Sequence, residues 1–144
     1  MALAQLIYVS RRNKAVTIDE IHSIVEASKT NNALRNITGM LLCHGYNLMQ
    51  ILEGELSQIV PLFEKIRQDR RHSEVRCLLC KNINKRMFPE WGMALANLDS
   101  NAVVDHDRLA GLVEEIRLTT DTSHFSVEAR ILLNDFQHQF SAAP

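Results

Sequence analysis

Gln50 sits between the apolar pairs Leu48-Met49 and Ile51-Leu52, in a run of strand length that begins at Asn47 and ends at Glu53-Gly54. Its amide carries two donor hydrogens and an acceptor oxygen. Burying such groups without partners costs roughly 1–3 kcal/mol each, so a partner is expected. Tyr8, within Leu6-Ile7-Tyr8-Val9-Ser10, is a candidate, because a buried phenol needs a partner as much as an amide does. A third set of polar groups comes from a helix. Its apolar face runs through Ile21, Ile24 and Val25, and the same i+3/i+4 spacing then reaches Ser28, Asn31 and Asn32. Asn31-Asn32 also fits a plain helix terminus, since Asn favours C-cap positions. That reading leaves Ser28, Gln50 and Tyr8 unexplained. Three amides, a hydroxyl and a phenol, walled by Ile24 and Ile66, suit a flat heterocycle with several carbonyl and imide groups.

The elements that must position these groups are legible in the pattern. Leu6 to Ser10 has apolar residues on both faces, which predicts a central strand. Arg11 to Ala15 reads as a polar loop, and Thr17-Ile18-Asp19-Glu20 as a capping box that opens the first helix. Asn36 and Gly39 flank the entry to a second strand, about 37–43, and His44-Gly45-Tyr46-Asn47 reads as a hairpin turn into the Gln50 strand. Glu53-Gly54 is expected to end that strand, and Ser57 to cap a second helix striped by Ile59, Leu62, Phe63 and Ile66. Pro61 is expected close to its first turn, where a helix tolerates proline. Val75 to Cys80 predicts a fourth strand and Trp91 to Leu98 a fifth; two further helices follow at about 103–118 and 127–140.

The order through strand four is β-α-β-β-α-β, so the fold class is α+β, a ferredoxin-like βαββαβ sandwich with a fifth strand and two C-terminal helices. In that topology the first and third strands are central neighbours, which brings Tyr8 beside Gln50. The expected division is a domain over 1–98 and a helical extension over 99–144.

Composition narrows the function classes. The 144 residues fit one domain, 46% are hydrophobic, and the net charge of −1 argues against a broad nucleic-acid footprint. No apolar run approaches the ~18–20 residues that span a bilayer. The N-terminus lacks a basic signal-peptide region, and three cysteines make no disulfide framework. A cytoplasmic protein without nucleic-acid or membrane partners is expected.

Other motifs read more plainly. Cys77-Leu78-Leu79-Cys80 has C-x-x-C spacing, but on a regular strand i and i+3 point to opposite faces, which argues against metal binding. Arg67, Arg70, Arg71 and His72 are interrupted by Asp69 and read as a solvated helix end with a phosphate contact. Trp91 alone would read as core. Cys43-His44 is a weak nucleophile–base pair, because adjacent strand residues diverge.

Together these residues resemble the BLUF family of flavin-binding blue-light sensors. The resemblance covers about 6–98 and rests on Leu6-Ile7-Tyr8-Val9-Ser10, Asn31-Asn32, Ile37-Thr38-Gly39-Met40-Leu41 and Gln50-Ile51-Leu52-Glu53-Gly54. It continues through Ile66-Arg67-Gln68-Asp69-Arg70-Arg71-His72 and Phe88-Pro89-Glu90-Trp91-Gly92-Met93. The two helices after the domain look like those of the short, single-domain members.

The resemblance implies noncovalent FAD, with FMN or riboflavin as substitutes, and no enzymatic turnover. Tyr8 then matches the redox-active tyrosine and Gln50 the glutamine that links it to the flavin. Asn32 matches the residue on the ring carbonyls, with Asn31 more variable and Ser28 a pocket residue. Ile24 and Ile66 match the aliphatic walls. Lys65, Arg71 and His72 fall near the ribityl-phosphate tail, with Asp69 in the same cofactor-binding set. Trp91 and Met93 match a signalling pair on the fifth strand. Two departures stand out. Lys65 gives up the planar phosphate recognition of an arginine, and Gly92 replaces a small polar or larger residue. Implied partners are a separate downstream signalling protein or further copies of the chain, as a homo-oligomer. Rival readings are an acylphosphatase-type hydrolase using Ser10-Arg11-Arg12-Asn13 as an anion cradle, or a colourless metabolite-binding regulatory domain.

Overall fold

Alternating apolar residues build a sheet whose two faces are both buried at the centre. The computed structural model describes residues 2–87 and 93–97. Among these, β1 (Leu3–Arg12), α1 (Ile18–Leu34), β2 (Thr38–His44), β3 (Asn47–Glu55), α2 (Leu56–Arg67), β4 (His72–Asn82) and β5 (Ala94–Asn97) follow one another. The strand order is β4-β1-β3-β2-β5, with β1 antiparallel to both β3 and β4, and β5 parallel to β2. This is the expected α+β, ferredoxin-like arrangement. Helices α1 and α2 pack on the face that carries Leu6, Tyr8, Leu41, Leu48 and Leu52. The opposite face carries Ile7, Met40, Leu42, Met49 and Ile51, none more than 2% exposed. No helix among the described residues is long and apolar enough to cross a membrane.

Thr17 caps α1 as its sequence demands, accepting from the Glu20 backbone N–H at 3.2 Å. The helix does not stop at Asn31-Asn32. It runs on to Leu34, and Asn36 takes the left-handed position that closes it, with φ 55°. Both Asn31 and Asn32 thus lie on the last helical turn, Asn32 buried and Asn31 exposed. Gly39 is required where β2 meets β3: a Cβ there would lie 1.9 Å from the Ile51 carbonyl oxygen.

Several boundaries differ from the sequence expectation. β1 continues through Arg11 and Arg12, which pair with Asn47 and His72; polar side chains do not interrupt a backbone ladder. β3 continues past Glu53-Gly54 to Glu55. The Glu53 carboxylate is fully buried but satisfied, accepting from Gln5 Nε2 at 2.8 Å and from the Met87 N–H at 2.9 Å. Arg86 joins this tie by donating to Thr38 Oγ1, the Glu53 carbonyl and the Asn36 carbonyl. Ser57 does not cap α2. The helix starts directly from β3 at Leu56, whose N–H finds the Ala2 carbonyl at 3.1 Å, so no side-chain cap is needed. Pro61 consequently lies inside the helix, in its second turn. β4 is longer than 75–80 and carries two register shifts against β1. β5 begins at Ala94, later than expected, and Met93 immediately precedes it. Trp91, Gly92, the expected helices at about 103–118 and 127–140, and the boundary near 98 lie outside the described residues.

Candidate functional site

Tyr8 and Gln50 are direct cross-strand partners in the β1–β3 ladder, so their side chains emerge on the same face. The Tyr8 hydroxyl donates to Gln50 Oε1 at 2.6 Å, and both side chains are buried. With Gln50 Oε1 facing Tyr8, the phenol proton has an acceptor that the amide nitrogen could not provide. Gln50 Nε2 then points away from Tyr8 and donates to the Met93 thioether at 3.4 Å. A thioether is a weak acceptor, and the second Nε2 hydrogen has no protein partner among the described residues. The site therefore retains donor capacity for a ligand. Burial, and secondarily the negative charge of Asp69, push the Tyr8 phenol above its ordinary pKa. Phe63 packs on the tyrosine ring at 5.5 Å between centroids, and His72 meets its edge at 6.2 Å.

Around this pair lies a cavity of about 320 Å³ between α1, α2 and the sheet. That volume falls within the range of ligand pockets, roughly 300–1,000 Å³. Ile24 and Val25 from α1, Leu62 and Ile66 from α2, and Leu41, Leu48 and Leu52 from the sheet make its apolar lining. Ser28, Asn31 and Asn32 contribute polar groups from the last turns of α1, with Gln50 and Met93 from the sheet side. Asn32 is 3% exposed. Ser28 Oγ donates back to the Val25 carbonyl at 2.8 Å, which leaves its oxygen as an acceptor. A flat, largely apolar ring with carbonyl and imide groups at one edge fits this donor set.

Asp69, Arg71 and His72 also line the cavity, but their bonding differs from a free basic patch. Asp69 accepts from Arg71 Nε at 2.9 Å, from Nη2 at 2.5 Å and from the Arg71 backbone N–H at 2.9 Å. These bonds hold the Asp69 carboxyl below, and the Arg71 guanidinium above, their ordinary pKa values. The guanidinium charge is thus offset within the site. His72 Nε2 is 2.6 Å from the Ile66 carbonyl and Nδ1 is 2.8 Å from Ser10 Oγ. Since a carbonyl only accepts, Nε2 carries the proton, and the imidazole fastens the end of α2 to β1. Lys65 is exposed and does not line the cavity.

The Ser10-Arg11-Arg12-Asn13 segment makes no anion cradle. Ser10 is buried against His72, and the Arg12 guanidinium donates to the Val16 and Gly45 carbonyls while lying 4.8 Å over the Tyr46 ring. Among the described residues, no cluster of three or more His, Cys, Asp or Glu side chains is arranged to hold a metal.

The family model for sensors of blue light using FAD matches residues 3–94. The chain belongs to the BLUF family. Among curated relatives, it is 33% identical over 96 residues to the blue light- and temperature-regulated antirepressor BluF of Escherichia coli, matching 67% of this chain and 24% of that protein. It is 32% identical over 95 residues to photoactivated adenylate cyclase subunit beta of Euglena gracilis, matching 65% of this chain and 11% of that protein. The chain thus spans a quarter or less of these relatives' lengths. The dark-state structure of BlrB, a BLUF protein, aligns with a TM-score of 0.68 at 30% identity, over 92% of this chain and 97% of that one. A bacterial light-regulated adenylyl cyclase aligns with a TM-score of 0.69 at 32% identity, over 92% of this chain and 40% of that one.

The BLUF fold of this chain gathers nearly all the site residues expected from its sequence. Ser10 and Phe63, which fix His72 and Tyr8, were not singled out for the site. Phe63 was visible only as part of the α2 stripe. The bond of Ser10 to His72, 62 positions away, carried no local signal.

Proposed function

We propose that this BLUF chain is a blue-light switch in which Tyr8 and Gln50 form the photoactive pair around a noncovalently bound FAD. FMN or riboflavin would serve as substitutes, since the lining favours the ring. The observation that carries this reading is the 2.6 Å Tyr8–Gln50 bond on the wall of a ring-sized cavity. Ile24 and Ile66 would hold the two ring faces, Asn32 and Asn31 the ring carbonyls, and Ser28 an edge polar group. Asp69, Arg71 and His72 would lie towards the tail.

When bound, the flavin supplies blue-light absorption and, once excited, the oxidising power that draws an electron from Tyr8. Tyr8 suits a gated donor, because its raised pKa keeps the proton in place until the electron leaves. The proton then moves along the short bond to Gln50 Oε1. When charge returns, the Gln50 amide is left rotated or tautomerised. A rotated amide presents Nε2 to the Tyr8 oxygen and Oε1 to the Met93 sulfur, which has no proton to give. The starting orientation keeps the Nε2–Met93 contact that the rotated one loses, which would favour its return in darkness.

Met93 is the first described residue of the outgoing segment, and it precedes β5 directly. Breaking the Gln50–Met93 contact would bias this segment, with Trp91 beside it in sequence, between two states. The signal would pass through an extension over 99–144 to a separate partner protein or to self-assembly. Residues 1–98 would form the sensor unit. No substrate is turned over by these groups. The test is a light-minus-dark difference spectrum of the flavin-loaded protein. A reversible red shift is expected; an unchanged spectrum under blue light, or purified protein that refuses added FAD, refutes the reading.

A further inference from the structure

The C-x-x-C pair on β4 takes no part in the flavin pocket, and it does not have the geometry of a regular strand. The β1–β4 ladder pairs Leu6 with Cys80, Ile7 with Leu79 and Tyr8 with Cys77, so Leu78 is an extra residue on β4. A bulge of this kind shifts the side-chain alternation by one position. Leu6 and Tyr8 are two apart on β1 and share a face. Their partners Cys80 and Cys77 therefore share that face as well, instead of pointing to opposite sides. Both thiols are exposed, on a strand at the edge of the sheet. The Cys77 thiol lies 3.5 Å from the Leu79 carbonyl oxygen, to which it can donate.

The spacing discriminates between the reactions open to two thiols. Side chains two ladder positions apart have Cα atoms separated by about 6.6 Å. This is near the upper limit for a disulfide, for which about 5.5–6 Å is usual. Two thiolates on one ion need their sulfurs only within about 4.6 Å, twice a metal–sulfur bond of about 2.3 Å. Among the described residues no third His, Cys, Asp or Glu completes the site, so a four-coordinate zinc centre is not offered. Two soft sulfur ligands without further donors match a soft d¹⁰ cation that accepts low coordination.

We propose that Cys77 and Cys80 form a two-thiolate binding site for Cu(I) on the exposed edge of the sheet. Binding breaks two S–H bonds, releases two protons to solvent and forms two Cu–S bonds; copper and sulfur keep their oxidation states. The test is anaerobic titration of the full chain with Cu(I) in competition with the coloured chelator bicinchoninate. The parent is expected to withdraw one Cu(I) per chain. Cys77→Ser and Cys80→Ser should each weaken this by about 100-fold or more, at least the loss seen on removing an outer-shell partner. Circular dichroism and flavin content should match the parent, since both side chains are exposed. X-ray absorption of the loaded protein should show two sulfur neighbours. No withdrawal of copper by the parent, parent-like affinity in either serine variant, or a shell of three or more sulfurs would each overturn the proposal. This copper titration stands or fails independently of the photochemistry.

Discussion

Replacing Gln50 by leucine separates a structural glutamine from a switching one. Leucine suits the apolar neighbours on β3 and removes the desolvation cost of the amide, so the sequence alone would suggest a neutral change. The tertiary structure alters that expectation. Tyr8 is 3% exposed, and its hydroxyl has Gln50 Oε1 as its partner at 2.6 Å. Gln50→Leu leaves this hydroxyl buried and unsatisfied, at a cost of about 1–3 kcal/mol. With partial compensation from the apolar replacement, a net loss of about 1–2 kcal/mol is expected, or roughly 3–10 °C in melting temperature for a chain of this length. Adding Tyr8→Phe removes the stranded hydroxyl and should restore most of that loss, giving a coupling of about 1 kcal/mol or more in the double-mutant cycle. Thermal melts on the single and double variants measure this coupling. The light-minus-dark spectrum of flavin-loaded Gln50→Leu measures the switch, and no normal red-shifted state should form. A parent-like reversible difference spectrum would refute the mechanism, and additive melting temperatures would refute the energetic role given to the bond.

Tyr8→Phe by itself should keep its packing on Phe63 and its bound flavin while losing the reversible red shift; a normal shift contradicts Tyr8 as donor. Asn32→Ala should weaken flavin binding several-fold, about 0.5–1.5 kcal/mol for one neutral hydrogen bond, measured by fluorescence titration. Unchanged affinity would leave Asn32 a purely structural residue. Gly39→Ala should destabilise the sheet by about 3 kcal/mol or more, the upper end of overpacking costs, because its Cβ would collide with the Ile51 carbonyl; a parent-like denaturation midpoint contradicts the β2–β3 register. Asp69→Asn tests the ion pair with Arg71. The folded-state carboxyl has a lowered pKa, so its contribution is present above the unfolded value of about 3.9 and disappears as pH falls through the folded value. At this partly exposed position it amounts to less than about 1 kcal/mol. The melting-temperature gap between parent and variant should therefore be small at pH 7 and close below about pH 4; a gap that widens in acid refutes the assignment.

Local patterns were enough to bring together the core residues of the candidate site, and the reason is periodicity. Alternation along β1 and β3 places Tyr8 and Gln50 on defined faces, and the β-α-β-β-α-β order makes those strands neighbours. The 3.6-residue repeat of α1 carries Ser28, Asn31 and Asn32 to the same side as Ile24. The Thr17 cap depends on residues only three apart, so it too was legible. Each of these inferences uses spacing along one element, or a topology with few alternatives.

What needed tertiary structure were the interactions set by departures from regular geometry or by distant partners. Arg71 looked like a phosphate contact from its charge, but its position brings it onto Asp69, and only the folded chain shows that the two offset each other. His72 looked like another basic group, but Ser10 and the Ile66 carbonyl occupy both ring nitrogens. Ser57 looked like a cap, but β3 runs straight into α2 and the backbone carbonyl of Ala2 meets the first helical N–H. The bulge at Leu78 is the clearest case. Nothing in Cys77-Leu78-Leu79-Cys80 announces an extra residue, yet one slip in the ladder reverses the face of every side chain beyond it. Periodicity fixes where side chains point only while the ladder is regular; strand pairing decides where it is not.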